Sequence, residues 1–279
     1  MIVFPSCKIN LGLHILSKRQ DGYHELETIF YPVPIYDALE IIEAPLGSDQ
    51  KVKLSCSGLE VQGNEEQNLV VKAYHLLATD YSLPPIEIAL LKNIPMGAGL
   101  GGGSSDGAFA IKLLNTYFKL SLSTEKQLDY AAKLGSDCAF FILNKPCVGK
   151  GRGEQLEPIE LSLSTYWIAL VKPNIHISTA EAFAGIIPRD KLENNFNTSL
   201  LEIIKSPINT WKEALVNDFE ASIFKNHSEL NSIKNTLYSS GAVYASMSGS
   251  GSSLFGLFLE EPNLKSTFKS HYYFEGKLS

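Results

Sequence analysis

The chain has 279 residues, 44% of them hydrophobic and 19% charged, which excludes disorder as the main state and leaves room for one large or two smaller cored domains. Its 24 Lys and Arg against 30 Asp and Glu give a net charge of −6, which argues against gripping nucleic-acid backbones. No apolar run approaches the ~20 residues that cross a bilayer, the opening MIVFPSCKIN has no cationic leader, and four cysteines without a CxxC pair make no disulfide scaffold, so a cytoplasmic chain without membrane or nucleic-acid partners is expected.

Residues 7–16 alternate, with Cys7, Ile9, Leu11, Leu13 and Ile15 on one side and Lys8, Asn10, Gly12 and His14 on the other, which predicts a half-buried strand. Lys8 and Asn10 share a face of it and can point into one cleft, although such a face is also the ordinary solvent side. Asp21-Gly22 signals a turn, and residues 24–34 read as a second extended segment ended by prolines. Residues 68–79 place Leu69, Ala73, Leu76 and Leu77 at helical spacing, and Ile86, Ile88 and Leu90 alternate as a strand. After a glycine loop, residues 108–120 carry Ala110, Leu113, Leu114 and Tyr117 on one helical stripe. Thr124 to Gln127 offers a capping box to a helix that stops at Gly135. The glycine- and charge-rich residues 149–158 mark the approach to a boundary, giving domains over 1–158 and 159–279. The second opens with a strand at 167–171, continues through helical stretches around 179–186, 198–205 and 211–225, and carries two strands around the loop at 248–253.

The loop itself, Pro95, Met96, Gly97, Ala98, Gly99, Leu100, Gly101, Gly102, Gly103, Ser104 and Ser105, has glycine at five of the seven positions 97–103, between a strand and a helix. Glycine serves where backbone takes a positive φ or approaches a ligand without a Cβ in the way. The helix that follows brings unsatisfied N–H groups and the positive end of its dipole, which suit phosphate. A plain turn capped by serine rarely needs five glycines. The formal match of Gly97, Gly99 and Gly102 to a dinucleotide fingerprint fails, because Glu125, at the spacing of the ribose-binding acid, lies in helical sequence. A P-loop needs lysine right after its last glycine, and here the first lysine beyond the loop is Lys112. No HRD or DFG triplet of a protein kinase occurs.

The segment PMGAGLGGGSSDGA closely resembles the second motif of the GHMP small-molecule kinases, whose loop wraps the phosphates of ATP. Together with CKINLGLHI at 7–15, GSDCAFF at 135–141, DGYHELETIF at 21–30, GRGE at 151–154 and MSGSGSSLF at 247–255, the likeness runs over nearly the whole chain, and in detail is to the 4-diphosphocytidyl-2-C-methyl-D-erythritol kinase family of the non-mevalonate isoprenoid route. The resemblance implies an α+β, two-domain fold with the active site in a cleft between an N-terminal and a C-terminal α/β domain. It implies ATP as phosphate donor, Mg²⁺ carried with ATP and not held in a dedicated metal cage, and a small-molecule substrate linked to cytidine diphosphate. Lys8 and Asp137 match the catalytic pair: Asp137 as general base for the 2-hydroxyl, Lys8 beside it favouring the carboxylate and the developing alkoxide. By position alone, an aspartate at 137 is usually a turn or cap residue.

Asn10, Tyr23, His24, Phe30, Thr179 and Phe183 match positions that hold the substrate, the aromatic ones at its cytidine end, where a ring can stack on the base. Gly249, Ser250 and Gly251 fall in the third family motif, which closes near the transferred phosphate; a hairpin turn explains that loop almost as well. Ser104 or Ser105 supplies a hydroxyl to metal or phosphate, or only a cap. His75, on an apolar helix face, His227, Lys150 and Arg152 read as core or surface residues. The chain departs from family wording at Cys7, at Gly12, where a large aromatic is common, and at Cys138-Ala139, which leaves the shape of the substrate pocket open. The alternatives are another GHMP kinase (mevalonate, phosphomevalonate or homoserine kinase), the related diphosphomevalonate decarboxylase, or a non-catalytic nucleotide-binding regulator.

Overall fold

A computed structural model describes residues 1–45, 47–61, 63–191 and 198–278. In chain order these form β1 (Ile2–Val3), β2 (Ser6–Lys18), β3 (His24–Tyr36), β4 (Ala38–Glu43), β5 (Val52–Gly58), α1 (Leu69–Ala78), β6 (Ile86–Lys92), α2 (Gly102–Tyr117), α3 (Thr124–Leu134), α4 (Cys138–Leu143), β7 (Cys147–Lys150), β8 (Gln155–Pro158) and β9 (Trp167–Lys172). Then come α5 (Thr179–Ala184), α6 (Leu200–Ile203), α7 (Trp211–Ala214), α8 (Phe219–Asn226), α9 (Ser228–Ser239), β10 (Tyr244–Met247), β11 (Leu254–Phe258) and β12 (Tyr272–Lys277). The architecture is α+β, as expected. Its residues gather into two compact units that interleave along the chain: one of Met1–Cys7, Ile35–Met96 and Gly101–Asn144, the other of Lys8–Pro34, Gly97–Leu100 and everything from Lys145 onward.

The first unit is a four-stranded sheet in the order β1-β4-β6-β5, with β5 parallel to β6 and the other pairs antiparallel, and α1 to α4 packed beside it. Alternation buries Ile86, Ile88, Leu90 and Lys92 of β6 on one face. Asn68 caps α1 by accepting from Val70 N at 2.9 Å. The box ahead of α3 starts one residue earlier than expected, with Ser123 Oγ accepting from Lys126 N. Helix α2 begins six residues before the sequence reading placed it. Its N-cap is Gly101 at φ 70°, with no side-chain cap, so Ser104 and Ser105 lie inside the helix and cap nothing.

The second unit holds the sheets β2-β3-β7-β8 and β10-β11-β9-β12. Strand β2 is buried on both faces from Ser6 to Ile15, not half-buried, and the side chains of Ser6, Lys8 and Asn10 find hydrogen-bond partners inside the protein. Strand β3 runs on through Pro32 and Pro34; its register with β7 covers only Thr28 to Phe30, so beyond it the prolines leave no ladder bond to β7 unmade. Residues 149–158, read as the approach to a boundary, form most of the β7–β8 hairpin, with Lys150 opposite Gln155 and its turn made by Gly151 and Gly153 at φ 70° and 105°. Leu13, Ile15, Val171, Phe219, Ile223, Leu230, Ile233 and Leu237 share one core. Helix α9 escaped the sequence reading because its apolar positions, Leu230, Ile233 and Leu237, stand in otherwise polar sequence.

Candidate active site

Between β6 and α2 the chain turns through Gly97, Gly99 and Gly101 at φ 60°, 77° and 70°. Gly99 has no room for a side chain, since a Cβ there would lie 1.9 Å from the Ser248 carbonyl oxygen. Ser253 N donates to Ala98 O at 3.2 Å, so the glycine loop and the loop 248–253 lie backbone against backbone. The Gly99 carbonyl is the meeting point. It accepts from Lys8 Nζ at 2.9 Å and from Ser248 Oγ at 2.8 Å, while Lys8 N donates to Leu100 O at 3.0 Å. In the third loop, Gly249 and Gly251 take φ 56° and 91°, and Ser250 between them is half-buried.

The polar side of β2 is built into this knot. Lys8 Nζ donates to Asn10 Oδ1 at 2.7 Å, Asn10 Nδ2 to Thr28 Oγ1 at 2.9 Å, and Thr28 Oγ1 to Gly12 O at 2.7 Å. Lys8 and Asn10 are only 3% and 2% exposed, so these bonds satisfy groups that would otherwise be stranded. Phe30 forms the floor: Lys8 Nζ sits 5.2 Å from its ring centroid, and a Cβ on Gly149 would come within 2.6 Å of the ring. A Cβ on Gly12 would meet Leu200 and Leu215 at 2.7 and 2.9 Å, so those leucines occupy the space beside this glycine.

Farther along the same unit, His24 stacks on Phe183 with centroids 4.7 Å apart and planes at 18°, and Phe183 meets Phe219 edge-on at 4.9 Å. Burial, with Lys18 nearby, holds the His24 imidazole below its ordinary pKa. Tyr23 is exposed, and the Arg152 guanidinium lies 4.8 Å over its ring. Arg152 itself is exposed in the turn between β7 and β8. Thr179 is the exposed first residue of α5, which Ser178 caps by accepting from Glu181 N. His227, read from sequence as an isolated polar residue, pairs with Glu181 at 2.7 Å, and His75, expected on an apolar face, is exposed.

In the other unit, Asp137 occupies the N-cap position of α4 without a side-chain cap bond. Next to it, burial pushes the Cys138 thiol up to about 12, with a Ser104 hydrogen bond opposing. Ser104 is half-buried, whereas Ser105 is fully buried and its Oγ has no partner. Sequence reasoning missed a buried ion cluster here. Lys92 Nζ pairs with Asp37 and, at 2.6 Å, with Asp106, and Asp37 Oδ1 accepts from Asn93 N and Ile94 N at 2.5 and 2.8 Å. Both ends of the glycine loop are thereby tied to one charge centre. Burial pushes the Asp106 carboxyl up to about 8 against the pull of Lys92, with Asp37 adding to the rise. For Lys92 burial works downward, but the two carboxylates outweigh it and its ammonium is held above the ordinary range. No alternation or spacing signal joins positions 37, 92 and 106; only the fold does.

Comparison with known proteins agrees with this geometry. The family model described as GHMP kinases N terminal domain matches residues 68–145, and that of the GHMP kinases C terminal matches residues 200–273. The chain is 55% identical over 267 residues to a 4-diphosphocytidyl-2-C-methyl-D-erythritol kinase of Bacteroides thetaiotaomicron, covering 96% of this chain and 95% of that one. It is 48% identical over 281 residues to the protein of the same name from Parabacteroides distasonis, covering both chains fully. A crystal structure of 4-(cytidine 5'-diphospho)-2C-methyl-D-erythritol kinase superposes with a TM-score of 0.84 at 27% identity, covering 100% of this chain and 99% of that one. With a phosphate-type glycine loop knotted to a buried lysine, and near half its residues shared end to end with these enzymes, the chain belongs to the 4-diphosphocytidyl-2-C-methyl-D-erythritol kinase family of the GHMP kinases.

Proposed function

We propose that this chain transfers the γ-phosphoryl group of ATP to the 2-hydroxyl of 4-diphosphocytidyl-2-C-methyl-D-erythritol, in the non-mevalonate route of isoprenoid synthesis. What carries the reading is the knot of Lys8, Gly99 and Ser248 inside a chain that shares about half its residues with kinases named for that substrate. Phosphoryl transfer asks little covalent work of a protein beyond alignment, proton removal and charge neutralisation. Backbone N–H groups of residues 97–103 and the start of α2, a helix of 16 residues, are the donors assigned to the triphosphate. The flanking Pro95, Met96, Ser104 and Ser105 complete the nucleotide loop. Of the two serines, exposure favours Ser104 as the hydroxyl that meets phosphate or metal, since Ser105 is sealed from solvent.

The 2-hydroxyl attacks phosphorus as the bond to the β–γ bridging oxygen breaks. Asp137 takes its proton, and the Lys8 ammonium, aimed by Asn10 and Gly99, steadies the negative charge that develops. Mg²⁺ travels with ATP, held chiefly by phosphate oxygens and water. The Ser104 hydroxyl is an oxygen suited to that hard cation, and among the described residues no group of three or more His, Cys, Asp or Glu forms a cage. Tyr23, His24, Phe183 and Thr179 are assigned to the cytidine end, with the stacked His24–Phe183 pair supporting a base-binding platform. Phe30, beneath Lys8, acts on the substrate through that lysine.

We place the enzyme in the cytoplasm; among the described residues no helix is long and apolar enough to cross a membrane. A domain boundary at 158/159 is compatible with family models that end at 145 and resume at 200. The test is turnover with ATP and Mg²⁺. The diphosphocytidyl substrate should react far faster than mevalonate, phosphomevalonate, homoserine or galactose, and an equal or better rate on any of these overturns the assignment.

A further inference from the structure

Residues 216–220 (VNDFE) join two parts of the second unit that the reaction needs. On one side they bond to β2, the strand of Lys8 and Asn10. Leu13 N donates to Val216 O at 3.0 Å, Asp218 N to Leu13 O at 2.8 Å, and Ile15 N to Asp218 Oδ2 at 2.8 Å. On the other side they hold the strand that enters the loop 248–253. Glu220 Oε1 accepts from Met247 N at 2.7 Å and from Ser246 Oγ at 3.1 Å. The central residue is Asn217, 3% exposed. Its Nδ2 donates to the carbonyls of both Met247 and Gly249 at 2.8 Å, and its Oδ1 accepts from Phe219 N at 3.0 Å.

These bonds set the orientation of two peptide planes. In a trans peptide the C=O and the following N–H point in opposite directions. With the Met247 carbonyl turned to Asn217, the Ser248 N–H faces away from it and donates to Ser253 O at 2.9 Å, which closes the loop. With the Gly249 carbonyl also turned to Asn217, the Ser250 N–H must point the other way. Ser250 is the half-buried residue of the loop, so this N–H is the donor it can offer to an incoming anion.

We infer that Asn217 is a positioning residue for phosphoryl transfer: its carboxamide orients the Gly249–Ser250 peptide so that the loop 248–253 presents a backbone donor to the transferred phosphate. The inference rests on the reading of that loop as the one that closes over the phosphate. Asn217 touches neither substrate nor nucleotide and acts through the loop.

The test compares the wild type with Asn217→Asp, which sets a carboxylate against two carbonyl oxygens, and Asn217→Leu, which removes both donors while keeping the number and branching of the side-chain heavy atoms. For each, kcat per substrate-binding site is measured, with sites counted by calorimetric titration of the diphosphocytidyl substrate. The expected result is a loss of ~10-fold or more in kcat, within the range for removing a preorganised donor, while KM for that substrate stays within about twofold. A kcat per site within twofold of wild type, or an equal loss of kcat and substrate affinity, overturns the inference. If these variants fail to fold, the smaller Asn217→Ser is judged by the same ratio. ATP hydrolysis to water is followed in parallel. Should the wild type not phosphorylate the diphosphocytidyl alcohol, the substrate assignment falls, and the effect of Asn217 on phosphoryl transfer is decided by the hydrolysis rates.

Discussion

Replacing Gly99 by alanine adds one methyl group at the point where the two glycine-rich loops touch. The new Cβ would lie 1.9 Å from Ser248 O, 2.9 Å from the Ser248 carbonyl carbon and 3.3 Å from Gly251 O, all of them backbone atoms that no rotamer change can move aside. Bringing the closest contact to 3.0 Å alone requires a shift of about 1.1 Å, at the residue whose carbonyl aims Lys8. A misplacement of ~1 Å at reacting groups lowers rate by about 10²-fold. Left-handed backbone at alanine adds ~1–2 kcal/mol of strain and overpacking ~1–3 kcal/mol, within a total stability of ~5–15 kcal/mol, so the variant folds with a Tm several degrees lower. Gly241→Ala is the control for backbone strain. Its φ is also positive, at 99°, but a Cβ there would meet nothing within 4 Å and it lies outside the proposed site. Coupled ADP release, assayed well below both melting points, should show a loss of ~10²-fold for Gly99→Ala and less than ~5-fold for Gly241→Ala. Equal losses would refute the reasoning, because backbone strain would then matter and the approach to Ser248 would not.

Asp137→Asn should reduce turnover by ~10²–10⁴-fold, the usual worth of a positioned general base, while equilibrium binding of ATP persists; near-normal activity removes Asp137 as the base. Phe183→Ala takes away the partner of His24 and, at ~1–3 kcal/mol for a lost stacking platform, should raise KM for the diphosphocytidyl substrate roughly 5- to 150-fold with the ATP KM unchanged; a KM that does not move excludes Phe183 from the site. Because the Asp106 carboxyl is pushed up to about 8 in the folded protein, the native state keeps a proton that the unfolded chain releases near 4, and stability falls as pH rises between those values. Asp106→Asn, which stays neutral, should flatten the decline of Tm between pH 5 and 8, and parallel curves for variant and wild type would show that Asp106 does not hold that proton.

Much of the fold was legible because its signals are local. Alternation marked β2 and β6, helical spacing marked α1, and glycine density marked the loop at 95–105, since the conformations only glycine tolerates are a property of single residues. The reading failed where neighbours in space overrode local pattern. Prolines 32 and 34 did not end β3, because β7 had already stopped pairing there, and the glycine- and charge-rich residues 149–158, where no strand was read, form most of the β7–β8 hairpin.

The site divides the same way. Residue chemistry alone selected the glycine loop at 95–105, while Lys8, Asn10 and Asp137 were singled out only by the resemblance of their segments to family motifs. That Lys8 is buried and aimed by the Gly99 carbonyl, that Lys92 gathers Asp37 and Asp106, and that Asn217 grips Met247 and Gly249 were decided by tertiary structure. Each joins groups far apart in sequence, and such bonds form because leaving a buried donor unpaired or a buried charge alone is costly.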